Sequence, residues 1–280
     1  MPEGPEVEAA RSSVEKHCLG STVVKFVLEE QGGGMREGMV DEKVCLATRD
    51  ELTATALSHS LDNVSRKGKH FWMQFSSGYS LLFHLGMTGS VAFKGRKVAA
   101  YKSFTVSSTW PPKFTKLMLE FSNGERFAFC DPRRLGRIRV LKDPLCSPPV
   151  SLLAPDPLLE PLSVDKVSVI LSKSTAPIKS ALLDQEKVCC GIGNWVADEV
   201  LYQGSIHPQT PCNVVASCEC SVNNLVRTID KVLNEAVMAN ADDKAFPSDW
   251  LFHKRWGKGK RKEIPTMPNG KTLRSIALDE

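Results

Sequence analysis

Residues 66–90 read RKGKHFWMQFSSGYSLLFHLGMTGS and contain two short apolar runs, HFWMQF and SLLFHL. Runs of this length, rich in aromatic and aliphatic side chains, are typical of β-strands. Similar runs lie on both sides of this stretch: VVKFVL before it, and KLMLEF, RFAFC and GRIRVL after it. Asn123-Gly124 separates two of the runs and is a strong signal for a tight hairpin. The sequence therefore predicts a β-rich half between residues 23 and 141.

The second half of the chain has the spacing of helices. Prolines are frequent between residues 144 and 161, and X-Pro bonds disfavour regular structure, so we predict a linker there. One predicted helix carries Trp195, Val200 and Leu201 and ends near Gly204. A later helix has one continuous apolar stripe, formed by Val222, Leu225, Val226, Ile229, Leu233, Ala236 and Val237.

The chain begins MPEGPE, which predicts a reactive N-terminus. Removal of the initiator methionine would leave Pro2 with a secondary amine, and such an amine condenses with an aldehyde-type carbon to give a charged iminium ion. An α-amino group titrates near neutrality, at a pKa of about 7.7–8.0, rather than near that of lysine. Pro2 is therefore a candidate nucleophile at physiological pH.

A helix is predicted to follow Pro2 directly. Gly4 and Pro5 are typical of an N-cap and a first helical residue, and one helix face then carries Val7, Ala10, Val14 and Cys18. The positive end of this helix disfavours protonation of a nearby amine. Glu3 and Glu6 lie in the same turn and could supply carboxylates for acid/base work. A plain capped helix with an acidic first turn explains the same residues equally well.

Composition limits the function only loosely. The 280 residues suffice for two domains, and the net charge of +4 is compatible with nucleic-acid binding without establishing it. The nine cysteines form no CxxC pair and none follows Cys220, which argues against a disulfide framework and a zinc site. We therefore expect reduced thiols in an intracellular protein, with no cofactor. No apolar run is long enough to span a membrane, and we expect no secretory or transit segment.

Several segments together resemble the formamidopyrimidine-DNA glycosylase / endonuclease VIII family of base-excision repair enzymes. They are MPEGPEVE at 1–8, RKGKHFWMQF at 66–75, HLGMTGS at 84–90, DPRRLGR at 131–137, IKSALLDQ at 178–185 and GIGNWVADEVLYQGSIHP at 191–208. Their order and spacing match the family over most of residues 1–250. The plant and fungal members that lack a zinc finger look most similar.

The resemblance implies an α+β multidomain fold. Its N-terminal part would be a β-sandwich with flanking helices, and its C-terminal part a helical domain with a helix-two-turns-helix motif and a zinc-less β-hairpin finger. We assign residues 1–146 to the sandwich, 147–163 to the linker, 164–250 to the helical domain and 251–280 to a short finger or basic tail. Residues 31–60 align with nothing and receive no role.

The resemblance also assigns catalytic roles to three residues of the first domain. Pro2 would attack the sugar C1′ to form a Schiff base, and Glu3 would act as the acid/base that assists opening of the sugar ring. Lys69 would assist β-elimination and grip a phosphate, although a solvated charge in a basic turn is the plainer interpretation. Glu6 is assigned to the DNA-contacting residues.

A glycosylase of this kind flips the damaged nucleotide out of the duplex, and side chains must fill the space left behind. By resemblance, Met87 is inserted there, and Arg133 and Leu135 approach from the adjoining loop, with Arg133 bonding the widowed base. Arg134 would contact a phosphate. Bacterial relatives usually have phenylalanine at position 135, so leucine makes opposite-base discrimination uncertain. Ordinary core filling for Met87 and a solvated loop for the arginine pair are the alternatives.

The second domain is predicted to grip the duplex. Gly191 and Gly193 would allow close backbone approach, and Asn194 would open a helix pointed at a phosphate. Lys179 matches a lysine that contacts DNA near the lesion, although a charge just before a buried helix would look the same. Such contacts position a duplex without reading its sequence.

The C-terminus departs from the bacterial pattern of a four-cysteine zinc hairpin. A zinc-less hairpin could still turn at Pro268-Asn269-Gly270, with Lys271 reaching the DNA as a catalytic residue of the second elimination step. Trp256 lies among basic residues, which suits phosphate and stacking contacts, and a frayed basic tail is the alternative.

We therefore predict a bifunctional DNA glycosylase with abasic-site lyase activity. Its substrates would be oxidised or ring-opened purines in damaged double-stranded DNA, and it would act as a monomer in the nucleus, without a membrane or a metal. The alternative is a lesion- or abasic-site-binding protein with weak catalysis. An N-terminal-nucleophile enzyme acting on a small carbonyl substrate is a more remote possibility, which the DPRR and GIGNW segments argue against.

Overall fold

The computed structural model describes residues 2–96, 109–255 and 267. The chain divides into two compact units between Leu153 and Ala154, and residues 240–243 group with the first unit. The boundary falls within the proline-rich stretch that separates the β-rich and helical halves of the sequence.

Within the described residues, the first unit contains helices α1 (Gly4–Cys18) and α2 (Arg49–Thr55) and eight strands. The strands are β1 (Val23–Val27), β2 (Leu61–Lys67), β3 (His70–Phe75), β4 (Ser80–His84), β5 (Ser90–Phe93), β6 (Thr115–Phe121), β7 (Arg126–Cys130) and β8 (Arg137–Leu141). They form two antiparallel sheets in the orders β1-β6-β7-β5 and β2-β3-β4-β8. The predicted β-sandwich is confirmed.

The core between the two sheets is rich in phenylalanine. The ring of Phe83 on β4 lies 5.7 Å, centroid to centroid, from the rings of Phe127 and Phe129 on β7. On β3, Phe71 and its same-face neighbours enter this core, whereas Trp72 on the opposite face packs with Leu82 and Val150. Because β3 is covered on both faces, its sequence is nearly continuous in apolar residues rather than alternating.

Helix α1 begins one residue earlier than the sequence predicts. Gly4 was expected as the N-cap, but Glu3 occupies that position and Gly4 is already helical. The side chain of Glu3 and the backbone of Glu6 form a reciprocal capping box, in which the backbone N–H of Glu3 donates to Oε2 of Glu6 at 2.9 Å. A carboxylate cap therefore replaces the glycine cap. The predicted apolar face, Val7, Ala10, Val14 and Cys18, is buried as expected.

The β6–β7 connection confirms the hairpin predicted at Asn123-Gly124. Gly124 has φ +84°, a left-handed conformation that favours glycine, and the N–H of Phe121 donates to the carbonyl of Glu125 at 2.9 Å. Strands β2 and β5 were not predicted, because β2 is largely polar and β5 has only four residues.

Within the described residues, the second unit is helical. Its helices are α3 (Val164–Ser172), α4 (Ile178–Leu183), α5 (Asn194–Gln203), α6 (Cys212–Ala216) and α7 (Glu219–Met238). Both predicted helices are confirmed: α5 ends at its C-cap Gly204, and five members of the α7 stripe are buried, while Val226 and Val237 are half-buried. The ring of Trp195 on α5 packs against Phe246, Trp250 and Phe252.

Two further expectations concern other parts of the chain. None of the described helices is both long enough and apolar enough to cross a membrane. The predicted finger, including Lys271, and the basic residue pattern around Trp256 lie outside the described residues.

Candidate active site and nucleic-acid interface

The predicted nucleophile lies at the start of α1. Pro2 and Glu3 are both buried, and Glu3 is only 1% exposed. The capping box fixes the backbone of Glu3 against the Glu6 carboxylate, so the residue next to Pro2 has little freedom. The structure thus holds a proline amine position and two carboxylates together at one helix end.

The two carboxylates are electrostatically unequal. Burial and the negative charge of Glu3 raise the pKa of Glu6 to about 7, although the N–H of Glu3 partly opposes this shift. A carboxyl with a pKa near neutrality can both give and accept a proton at physiological pH. Glu6 was predicted to contact DNA, and its position supports acid/base work as well.

The turn that carries Lys69 is tied to the same end of α1. Arg66 on β2 has a side chain 1% exposed, and its Nε donates to Oε2 of Glu8 on α1 at 3.0 Å. Its Nη1 donates to the carbonyl of Gly68 at 3.0 Å, within the β2–β3 turn, where Gly68 has φ +58°. Arg11 on α1 adds a bond from Nη1 to the carbonyl of Val64 at 3.1 Å. The helix that begins beside Pro2 and the lysine turn are therefore parts of one hydrogen-bonded framework.

Asp131 joins the two loops that were predicted to fill the duplex. Its Oδ1 accepts from Oγ1 of Thr88 at 2.6 Å and from the N–H of Arg133 at 3.1 Å. Its Oδ2 accepts from the N–H groups of Leu135 at 2.7 Å and Gly136 at 2.6 Å. One fully buried carboxylate thus organises residues 85–89 and 131–136, which we call the two-loop tip.

The backbones of the two loops touch at Gly86. A β-carbon at this position would lie 2.5 Å from the carbonyl carbon of Leu135, and Gly86 has φ +60°, so only glycine fits. The tip exposes Met87 and Leu135, each 38% accessible, together with Arg133. The structure therefore brings together the three residues predicted to fill the space left by a flipped nucleotide.

Arg134 has a different environment from its neighbours in the tip. Its Nε donates to Oδ2 of Asp41 at 2.7 Å and its Nη2 to Oδ1 at 2.9 Å. This bidentate pair uses two of the five guanidinium N–H donors, so the predicted phosphate contact would use the two on Nη1 or the second one on Nη2.

The second unit presents the other predicted DNA contacts. Gln185 clamps the turn before α5: its Oε1 accepts from the N–H of Gly191 at 3.0 Å and its Nε2 donates to the carbonyl of Ile192 at 2.9 Å. Gly191 has φ +92°, which favours glycine. Asn194 is exposed as the first residue of α5. The N–H groups and the dipole at the start of a helix are suited to a phosphate.

Lys179 lies in an ion pair. Its Nζ is 2.6 Å from Oδ1 of Asp198 on α5, and Nη2 of Arg255 lies 2.7 Å from Oδ2 of the same carboxylate. The side chain of Lys179 keeps 16% of its surface exposed. Asp198 therefore holds two cations close together within this unit.

Two family models match the chain: the formamidopyrimidine-DNA glycosylase N-terminal domain over residues 1–138 and the formamidopyrimidine-DNA glycosylase H2TH domain over residues 153–247. A formamidopyrimidine-DNA glycosylase of Desulfitobacterium hafniense (strain DSM 10664 / DCB-2) is 31% identical over 242 residues, covering 86% of this chain and 80% of the relative. This chain belongs to the formamidopyrimidine-DNA glycosylase family.

Other relatives agree with this membership. A formamidopyrimidine-DNA glycosylase of Arabidopsis thaliana is 38% identical over 258 residues, or 91% of this chain, and the chain spans 63% of the length of that relative. Wild-type Lactococcus lactis Fpg, in a complex with DNA that contains N7-benzyl-Fapy-dG, superposes with a TM-score of 0.69 at 24% identity. That superposition covers 85% of this chain and 79% of the other, and it supports the formamidopyrimidine-DNA glycosylase fold.

Two histidines of this family member were missed by the sequence reasoning. His70, His84 and Arg137 are cross-strand neighbours on β3, β4 and β8, on the face opposite the core, and the two imidazole centroids are 4.7 Å apart. Nδ1 of His70 is buried without a hydrogen-bond partner among the described residues. The residues lining a cavity of about 210 Å³ at this place are His70, Leu82, His84, Arg137, Arg139 and Pro149.

The electrostatics of this cavity favour an anion. Burial, the other imidazole and the charge of Arg139 lower the pKa of His70 to about 3. Burial, Lys69 and Arg137 lower the pKa of His84 to about 4. Both imidazoles are therefore neutral at pH 7 and can each donate one N–H, beside two permanently charged guanidinium groups. The position of His84 in the HLGMTGS segment was the signal that could have identified this surface.

The described residues contain no group of three or more histidine, cysteine, aspartate or glutamate side chains that could hold a metal ion.

Proposed function

We propose that this protein is a bifunctional DNA glycosylase and abasic-site lyase that removes oxidised or ring-opened purines from double-stranded DNA. The observation that carries the proposal is the arrangement at the start of α1, where Pro2 precedes a capping box of two buried or half-buried carboxylates. The β2–β3 turn, which carries Lys69 and is hydrogen-bonded to α1 through Arg66, would supply the cation for strand cleavage. The two-loop tip would supply the side chains that fill the space left by the flipped nucleotide. Membership of the family supports the same reaction class.

The reaction begins with attack of the Pro2 nitrogen on C1′ of the flipped nucleotide. The C1′–N bond to the base breaks as the bond from Pro2 forms, and the base leaves with that electron pair and takes up a proton. The Pro2 nitrogen then loses its own proton, its lone pair forms the double bond to C1′, and the C1′–O4′ bond breaks, so the sugar ring opens and O4′ takes up a proton. In this proposal Glu3 gives the proton to O4′, and the product is an iminium ion on Pro2. Glu6, with its pKa near 7, can exchange protons with this site at neutral pH.

Strand cleavage follows from the iminium ion. A nearby proton acceptor takes a proton from C2′, and the electron pair of that C–H bond forms a new C2′–C3′ double bond. The C3′–O bond breaks, and the phosphate leaves with its electron pair. In this proposal Lys69 is the cation that holds the departing phosphate. Water then hydrolyses the iminium, which releases the sugar remnant and restores the Pro2 amine.

The basic surfaces of the two units suit the DNA backbone. In the first unit, the cavity lined by His70, His84, Arg137 and Arg139 offers donors and positive charge to a phosphate. In the second unit, the start of α5 at Asn194 and the lysine at 179 offer the same chemistry. Because these contacts are largely electrostatic, the affinity of the protein for duplex DNA should fall steeply as the salt concentration is raised.

The experiment that tests the proposal is borohydride trapping on a duplex with a single abasic site. Borohydride reduces an iminium ion, so a Schiff-base enzyme becomes covalently joined to the DNA. We expect trapping by the processed wild type and by Pro5→Ala, a matched proline control inside α1. Pro2→Gly should lose trapping while it still binds the duplex in a gel-shift assay.

Two results would contradict the proposal. Full trapping by a protein with a blocked N-terminus would exclude Pro2 as the nucleophile. Duplex binding without trapping by the wild type would support a lesion-binding protein instead. A panel of duplexes with defined oxidised purines and pyrimidines then identifies the preferred lesion.

We further propose that the protein acts as a monomer in the nucleus. Its proposed substrate is duplex DNA, and each unit has its own apolar core. Sedimentation at micromolar concentration tests the first point, and a C-terminal fluorescent fusion, which leaves Pro2 free, tests the second.

A further inference from the structure

Beneath the two-loop tip lies a buried cluster of four charged side chains. Lys116 on β6 pairs with Glu30 and, at 2.9 Å, with Oδ2 of Asp41. Asp41 in turn forms the bidentate pair with Arg134. The side chains of Lys116, Glu30 and Asp41 are at most 2% exposed, whereas that of Arg134 is 27% exposed. Two positive and two negative charges balance, and only Arg134 links the cluster to the surface.

Asp41 is held firmly by its own segment. The N–H groups of Val44 and Cys45 donate to its carbonyl at 2.9 and 2.8 Å. The same segment is anchored to β8, because the N–H of Leu46 donates to the carbonyl of Ile138 at 2.9 Å. Residues 31–60, which received no role from the sequence, thus deliver a fixed carboxylate to the tip.

The cluster fixes Arg134, which lies between loop residues that Asp131 holds. Asp131 accepts from the N–H groups of Arg133, Leu135 and Gly136. Arg134 is held through its guanidinium by Asp41 and through its carbonyl, which accepts from Nη1 of Arg137 at 3.3 Å. Arg134 has φ +60°, a left-handed conformation that a side chain with a β-carbon rarely adopts. The bidentate pair with the Asp41 carboxylate anchors the side chain of the residue that has this conformation.

The charge state of Asp41 agrees with this role. Burial alone would raise its pKa, but hydrogen bonds and charges from Arg134 and Lys116 outweigh burial and lower the pKa to about 2. Asp41 therefore stays ionised at every pH at which the protein would work.

We infer that Asp41, held by Lys116, is a positioning residue for opposite-base recognition: by clamping Arg134 it sets the direction in which Arg133 and Leu135 face the DNA. This inference rests on the proposed glycosylase function. In this inference Arg134 holds the two-loop tip in place through Asp41. The competing role for Arg134 is a contact with a DNA phosphate.

The test uses the full-length processed protein and duplexes with one ring-opened guanine opposite each of the four bases. The readout is the ratio of kcat/KM values for the best and the worst opposite base. Arg134→Met keeps the length of the side chain, removes the clamp and leaves Asp41 paired with Lys116. Asp41→Asn removes the negative charge and one of the two oxygens that accept from Arg134. Arg126→Met is the matched control, because Arg126 also forms an ion pair, with Glu120 at 3.1 Å, away from the tip.

We expect the ratio to fall by about tenfold or more in Arg134→Met, in line with the loss of one well-placed base contact, and to stay within about twofold in the control. Arg134→Lys, which can still pair with Asp41, should recover most of the ratio. Combining Asp41→Asn with Arg134→Met should lower the ratio no further than Arg134→Met alone. With 2-aminopurine as the opposite base, Arg134→Met should also change the fluorescence of the bound complex.

Several outcomes would overturn the inference. One is an unchanged ratio in Arg134→Met, and another is equal excision opposite all four bases by the wild type. A uniform loss of affinity for every duplex, with a salt dependence reduced by about one charge, would assign Arg134 to a phosphate. Failure of the wild type to trap abasic DNA with borohydride would instead refute the proposed function, so the two failures are distinguishable.

Discussion

Asp131→Asn should detach the two-loop tip from its anchor. The carboxylate accepts four hydrogen bonds, two on each oxygen. Asparagine has a single carbonyl oxygen, so if this oxygen serves Thr88 and Arg133, the NH₂ group faces the N–H groups of Leu135 and Gly136. Two bonds to a charged acceptor are then lost. At about 1.5–3 kcal/mol each, the expected cost is about 3–6 kcal/mol.

Urea denaturation of the first unit and hydrogen exchange of the tip peptides measure this cost. We expect a lower free energy of unfolding and faster exchange across residues 131–137. Asp143→Asn is the control, because Asp143 accepts from the N–H groups of Leu145 and Cys146 on one oxygen, which asparagine can replace. A free energy of unfolding for Asp131→Asn within about 1 kcal/mol of the wild type would refute the assigned role of the carboxylate.

Three further predictions concern protonation, metal and the cleaved ends. Folding raises the pKa of Glu6 from 4.5 to about 7, so the folded protein favours the protonated carboxyl. The stabilisation that this gives is fully present below pH 4.5 and is lost as the pH rises through 7. The free energy of unfolding of Glu6→Gln, relative to that of the wild type, should therefore increase as the pH is raised from 5 to 8. A difference in unfolding free energy that is flat with pH would count against this shift. Exhaustive chelation should leave excision unchanged, because no cysteine follows Cys220, and zinc at one equivalent by elemental analysis would contradict that. Lys271→Ala should lower the fraction of 3′-phosphate ends on a denaturing gel, and mostly 3′-phosphate ends from this variant would show that Lys271 is not the residue of the second elimination.

Local sequence patterns were sufficient for much of the fold. The apolar runs that became β1, β3, β4, β6, β7 and β8 are continuous in sequence, and the α7 stripe repeats along one helix face, so neither depends on distant residues. Strand β2 could not be recognised in this way. Its identity comes from pairing with β3, and its sequence LDNVSRK has polar residues on the exposed side.

In the candidate site, too, some residues could be recognised from the local sequence, whereas the contacts of others depend on the tertiary fold. Pro2, Glu3 and the tip residues stand in short motifs, and the sequence could name them. The pairing of Arg134 with Asp41 joins residues 93 positions apart, and that of Lys179 with Asp198 depends on how α4 packs on α5. Such contacts follow from the tertiary fold, and a charged residue in a motif carries no local sign of its partner.

The shared carboxylate of Asp131 also has a consequence for which substitutions the two-loop tip of this protein can accept. One buried residue, Asp131, is hydrogen-bonded to both loops. A substitution that changes the backbone position of either loop would therefore break some of these bonds and lower the stability of the protein. The side chain of Leu135, in contrast, projects outward from a backbone that is already held. Position 135 can therefore accept residues of different size at little structural cost. Under the proposed function, it is the position at which we expect substitutions to change which base is tolerated opposite the lesion.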